Sequence, residues 1–182
     1  MLHPAAMTTY AALLRAINVG GTGKLTMADL RKLCEGCGFT KVATYIQSGN
    51  VVFDSRRGEA SAEKVLAEAL AEKLGKPVGV HLRSASELDA VIAHNPFPDA
   101  PPNRVIVFFL DKVPAKAALA GIATPGGEEV VARGREVFVC YPGVQGASKL
   151  KLPFQKTGTG RNLNTVRKLR AMLADIESPK AR

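Results

Sequence analysis

The chain has 182 residues, 46% of them hydrophobic and 5% aromatic, with a formal net charge of +9. That size and apolar content suit one ordinary domain, or two small halves sharing a core, packed mainly by aliphatic side chains and needing no covalent staples. No apolar run approaches the roughly 20 residues of a membrane-spanning helix, and three cysteines provide no four-ligand zinc framework.

The opening MLHPAAM lacks the basic start and apolar centre of a secretory signal. Residues 1–7 read as an extension, and the protein is expected to be cytoplasmic with no membrane partner. Tyr10 to Ile17 is apolar apart from Arg15 and reads as a buried strand. The loop Asn18 to Leu25 follows, then Thr26 with Asp29 three residues on, a capping-box spacing that starts a helix near Met27. Leu30 and Leu33 keep helical spacing, and Gly36 or Gly38 supplies the left-handed position that ends the helix. Val42 to Ile46 and Val51 to Phe53 form a hairpin across Gln47-Ser48-Gly49-Asn50. After the polar loop Arg56 to Glu59, Ser61 is expected to cap a helix whose Val65, Leu66, Ala69, Leu70 and Leu74 follow the 3.6 period to Gly75. Val78 to Leu82 is the next strand, in which His81 can face solvent. The order strand, helix, strand, strand, helix, strand is ferredoxin-like.

Ser84 and Glu87 repeat the capping box for a helix over Ala85 to Ala93, closed by Asn95-Pro96. The prolines of residues 96–103 forbid regular structure and mark a link between a first half, 8–95, and a second, 104–182. Arg104 to Leu110 is an apolar strand, Pro114 opens a helix through Leu119, and Glu128 to Ala132 pairs with Glu136 to Tyr141 across Arg133-Gly134-Arg135. Two helical stretches end the chain, so the second half repeats the first order without its last strand. The expected fold is α+β: two ferredoxin-like, βαββαβ-type halves with antiparallel sheets and helices on one face.

The segments LLRAINVGG and TYIQSGNVVF together resemble a bacterial family, domain of unknown function 1697 (DUF1697), whose members read LLRxINVGG and then YIQSGNVVF at about this separation. The resemblance runs from Thr8 to the helix after Arg161. Ala16 stands where the family pattern has glycine. Near the C-terminus, Arg161 and Asn162 fall in a segment similar to the family's closing TRNxNT motif, and Lys149 resembles the lysine of its SKL segment. The family brings no established activity.

Three polar loops are candidate sites. Gly20 to Lys24, GGTGK, is compared with a phosphate loop but fails it: Asn18 replaces the first glycine and Leu25 the hydroxyl residue after the lysine. It is either a plain turn or a nest of N–H groups beside a helix start, where Lys24 and Asn18 could hold an anion. Gln47, Ser48 and Asn50 suffice for a hairpin turn, yet with Arg15 and Asn18 they can also converge at one sheet edge and orient a ligand. Asn162 or Asn164 can cap the last helix, and Arg161 beside glycines is shaped to grip a phosphate or carboxylate in bidentate fashion.

Charge favours an anionic partner. Residues 147–182 hold nine Lys or Arg against Asp175 and Glu177, and so carry +7 of the net +9. The same face could simply be solvated. Cys34 and Cys37 sit at a helix C-terminus, where the dipole raises thiol pKa, and read as ordinary helix cysteines. No histidine has a nucleophile beside it in a local motif, and no cofactor is expected. The leading expectation is binding of a nucleotide, phosphorylated metabolite or nucleic acid through Arg15, Asn18, Lys24, Gln47, Ser48, Asn50, Lys149, Arg161 and Asn162. An enzyme of a small anionic metabolite and an interaction module with structural polar loops are the alternatives. Oligomeric state is left open.

Overall fold

The structure, a computed structural model, describes residues 5–15, 17, 25–46 and 49–178. The chain divides into two compact units, Met1–Leu88 with Leu169–Arg182, and Asp89–Lys168. The first holds β1 (Thr8–Arg15), α1 (Met27–Gly36), β2 (Thr40–Tyr45), β3 (Asn50–Ser55), α2 (Glu59–Leu74) and β4 (Gly79–Ser84). Its strands are all antiparallel in the order β2-β3-β1-β4, the ferredoxin-like arrangement.

Side chains alternate across this sheet. Tyr10, Ala12, Leu14, Val51, Phe53 and Leu82 share one face and pack against Leu30 and Cys34 of α1 and Ala62, Leu66 and Leu70 of α2. Each large aliphatic or aromatic side chain buried here contributes about 1.5–3 kcal/mol. Phe39 stacks on Phe53 with ring centroids 4.0 Å apart and planes within 3°. The capping box forms as the spacing predicts: Asp29 N donates to Thr26 Oγ1 (3.0 Å) and Thr26 N to Asp29 Oδ2 (3.2 Å). α1 closes through Cys37, and Gly38 then takes φ +85°. α2 starts at Glu59, two residues ahead of Ser61, because Gly58 takes the extended cap position and Ser61 falls inside the first turn.

The opposite face of the sheet carries Thr9, Ala11, Leu13, Asn50, Val52, Asp54, His81 and Arg83, all buried. His81 is 1% exposed, so the solvent-facing option fails; register with Leu13 turns it inward. The end of the last helix is fastened to this unit. Thr9 Oγ1 donates to Glu177 Oε1 (2.6 Å), and Lys41 Nζ reaches Ile176 O (3.2 Å) and Asp54 Oδ2 (3.3 Å). Lys41 is at a bulge between Thr40 and Ala43, with φ +50°.

Ser84 and Glu87 close the second capping box, Ser84 N to Glu87 Oε2 (2.8 Å) and Glu87 N to Ser84 Oγ (3.3 Å), at the head of α3 (Ala85–Ala93). The proline link contains one turn of 3-10 helix, Pro102–Arg104. The second unit holds β5 (Val105–Phe109), α4 (Lys116–Ala120), β6 (Glu129–Arg133), β7 (Glu136–Cys140) and β8 (Thr159–Asn162), in the order β6-β7-β5-β8. α4 begins after Ala115, two residues later than the proline implies.

The last strand is present after all. β8 reads TGRN, short, polar and weak in β tendency, and pairing with β5 (Ile106 with Asn162 through Phe109 with Thr159) imposes its extended form. Where a second helix was to be expected between β7 and β8, there is a 3-10 turn, Gln145–Ala147, and then a segment whose Leu150, Leu152 and Phe154 alternate onto the sheet. Only one helix ends the chain among the described residues, α5 (Leu163–Glu177). The fold is thus α+β with two four-stranded antiparallel sheets of ferredoxin-like order.

Candidate functional site

At one end of the first sheet, register lines up Tyr45, Asn50, Leu13 and His81 across β2, β3, β1 and β4 on a single face. Arg15 is one step further along that face, opposite Gly79. A side chain on Gly79 would meet Arg15 Cβ at 2.9 Å, so glycine here leaves the space that the arginine stem occupies. Arg15 and Tyr45 are half-buried, whereas Asn50 and His81 are fully buried. Among the described residues Arg15 has no carboxylate partner.

The hairpin turn docks on this end. Leu14 N donates to Gly49 O (2.9 Å), and Asn50 Nδ2 donates to Tyr45 O (3.1 Å), closing the turn from inside. Gly49 takes φ +78° and Ile46 φ +47°, so the turn contains a β-branched residue in the left-handed region, where it is strained. Asn50 is therefore a buried strand residue that holds the turn. Asn18, Lys24, Gln47 and Ser48, with the glycine loop, lie outside the described residues. Tyr45 was not singled out in the sequence; only the register places it beside Asn50, on the face that carries Arg15.

The start of α1 is already served. Thr26 hydrogen bonds hold the Asp29 carboxyl below its usual range, and this negative charge occupies the cap an anion would use.

In the second unit, Arg161 is 8% exposed, and its Nη1 donates to Thr159 Oγ1 (2.7 Å) and Gly160 O (2.9 Å) within its own strand. Burial pushes its guanidinium down to about 10. Asn162 Oδ1 accepts from Thr165 N (2.9 Å) and caps α5. Lys149 is exposed. A carboxylate missed in the sequence joins two loops here: Glu128 accepts from Gly126 N (2.9 Å) and from the Ser148 hydroxyl, which itself accepts from Leu150 N (3.1 Å). The hydroxyl and backbone N–H groups hold the Glu128 carboxyl below the usual range. Ser148 is 20 residues away, and no local motif announces the pairing.

Cys34 and Cys37 are buried and free. Burial pushes the Cys34 thiol up to about 12 and also raises Cys37 and Cys140. Desolvation, more than the helix dipole, sets these values. Among the described residues no three His, Cys, Asp or Glu side chains gather to hold a metal ion, and no helix is long and apolar enough to cross a membrane.

A conserved bacterial protein from Streptococcus pneumoniae, SP0830, has a similar solved structure: TM-score 0.75, 28% identity, 92% of this chain and 99% of that chain covered. No curated protein matches the sequence. A model for "Protein of unknown function (DUF1697)" matches residues 7–138, a span holding both LLRAINVGG and YIQSGNVVF. The chain belongs to the DUF1697 family.

Proposed function

We propose that the protein binds a phosphate-bearing or other anionic ligand at the end of the first sheet where β1 meets the β2–β3 turn. The observation that carries this reading is Arg15: a half-buried guanidinium with no carboxylate among the described residues, on the same face as Tyr45. A guanidinium keeps its charge at all physiological pH values and presents five donors in a fixed fork, so an anion satisfies it better than water at a partly desolvated edge. Tyr45 adds a ring and a hydroxyl to the same edge, and the two loops of the sequence that follow β1 and β2 contain the polar residues Asn18, Lys24, Gln47 and Ser48. Arg161 and Asn162 have internal work in β8 and α5 and are assigned a structural part.

The test is a thermal-shift screen against nucleotides, phosphorylated metabolites and short DNA and RNA, repeated on Arg15→Ala and Tyr45→Ala. A stabilising ligand should lose at least tenfold in affinity with Arg15→Ala. A nucleic acid would show affinity falling steeply with salt, and a nucleotide a shallow dependence. Stabilisation by every anion that is unchanged in Arg15→Ala would sink the reading.

A further inference from the structure

One pocket is lined wholly by residues of the second unit. The chain leaving β5 and the turn after Phe154 border an open pocket of about 370 Å³, in the range of small-molecule sites. Its walls are mainly apolar, with Leu110, Val113, Ala118, Pro153 and Phe154 among them. Phe154 is held edge-on to Phe108 at 5.9 Å between ring centroids, so one wall is anchored in the core. Val113 is 68% exposed, an apolar side chain left at the pocket for no reason of packing.

The chain segments that form it are rich in lysine. Lys112 lines the pocket, and exposed Lys116, Lys151 and Lys156 flank its lining residues in the chain. Leu150, Leu152 and Phe154 point into the sheet, so alternation turns Lys149 and Lys151 outward together, about 6.6 Å apart along the chain. Against them stands Asp111, which lines the pocket beside Lys112 and is the one acidic residue from Leu110 to Gly127; Val137 to Ala174 has none.

We propose that this pocket binds a small amphiphilic anion, an apolar chain or ring bearing one carboxylate, sulfonate or phosphate. The apolar walls take the body, and the lysines take the head group. A neutral apolar molecule leaves the lysines unused, and a compact polyanion leaves the walls wet, so both halves of the ligand are needed. The pocket is independent of the Arg15 edge, and either can fail without the other.

The probe is 8-anilinonaphthalene-1-sulfonate, titrated by fluorescence and displaced by octanoate, octan-1-ol or inorganic phosphate. One saturable site per chain is expected, with octanoate displacing the probe at concentrations at least tenfold below either of the others. Ala118→Phe fills the pocket and should abolish binding. Val113→Asp, at an exposed position that tolerates charge without unfolding, should weaken it at least fivefold, as should Lys112→Glu with Lys116→Glu. Arg15→Ala should leave it unchanged. Binding that survives both Ala118→Phe and Val113→Asp, displacement by octan-1-ol as readily as by octanoate, or loss in Arg15→Ala would each overturn the proposal.

Discussion

Gly49→Ala tests whether the hairpin turn is locked to the end of β1. Two costs add at this position. The backbone sits at φ +78°, where an L-residue is less stable by about 1–2 kcal/mol. The new Cβ would also lie 3.0 Å from Leu14 Cβ and 3.7 Å from Ile17 Cβ, closer to Leu14 than packed carbons approach. Relief requires the turn to move off β1, stretching the 2.9 Å bond from Leu14 N to Gly49 O, and overpacking of this sort costs about 1–3 kcal/mol. Gly75→Ala is the control, because Gly75 has φ +68° with no neighbour within 4 Å of the added carbon, and so carries the backbone cost alone. Urea unfolding followed by circular dichroism should place Gly75→Ala about 1–2 kcal/mol below the parent and Gly49→Ala about 2–5 kcal/mol below it. In heating, each kcal/mol should lower Tm by about 2–4 °C for a chain of this size. Equal losses in the two variants, or a milder loss for Gly49→Ala, would refute the docking argument.

Three further outcomes follow from the same physics. Ile46→Asn, at φ +47° and 45% exposed, exchanges a strained β-branched residue for one that tolerates the left-handed region, and should raise stability by about 1 kcal/mol in the same urea assay. Cys34 keeps its proton in the folded state up to about 12 but loses it near 9 when unfolded; the folded state thus binds more protons above pH 9, and stability falls as pH rises toward 12. Stability should therefore drop by about 1.4 kcal/mol more between pH 8 and pH 10 in the parent than in Cys34→Ala, and alkylation of the native protein at pH 8 should label Cys140 before Cys34 or Cys37. Glu128 has a lowered folded pKa, so its contribution is present above the ordinary carboxylate pKa and lost as pH falls through the folded value. Glu128→Gln should lower stability at pH 7, and the gap to the parent should close on acidification.

Local signals made the first sheet legible. Thr26 with Asp29 and Ser84 with Glu87 form the hydrogen bonds their spacing implies, and the glycines at 38 and 75 take the left-handed backbone that helix ends need. β8 escaped because Thr159 to Asn162 carry no apolar alternation of their own; the strand is made by its partner, β5. The segment after β7 misleads in the opposite way, since Leu150, Leu152 and Phe154 alternate as a strand would yet serve as a cover over the sheet. At the candidate site, Arg15 and Asn50 stood out as polar residues at strand ends. Tyr45 and His81 did not, because period-2 alternation says which residues share a face of one strand but not which rows meet across four. Arg161 showed the limit of composition: an arginine among glycines near a helix start looks like an anion grip, and composition does not reveal that its Nη1 donates to Thr159 and Gly160 within its own strand.

The first unit is completed by residues from the far end of the chain, and synthesis makes this a matter of timing. Thr9 and its partner Glu177 are separated by 168 positions. At about 5–20 residues per second, β1 leaves the ribosome about 10–30 s before the helix end that hydrogen-bonds to it. Ribosome-held chains ending at Ser84 would possess all four strands of the first sheet yet lack Ile176 and Glu177, the contacts for Lys41 and Thr9. The Thr9 and Lys41 bonds of this half are thus made last, by its most distant segment.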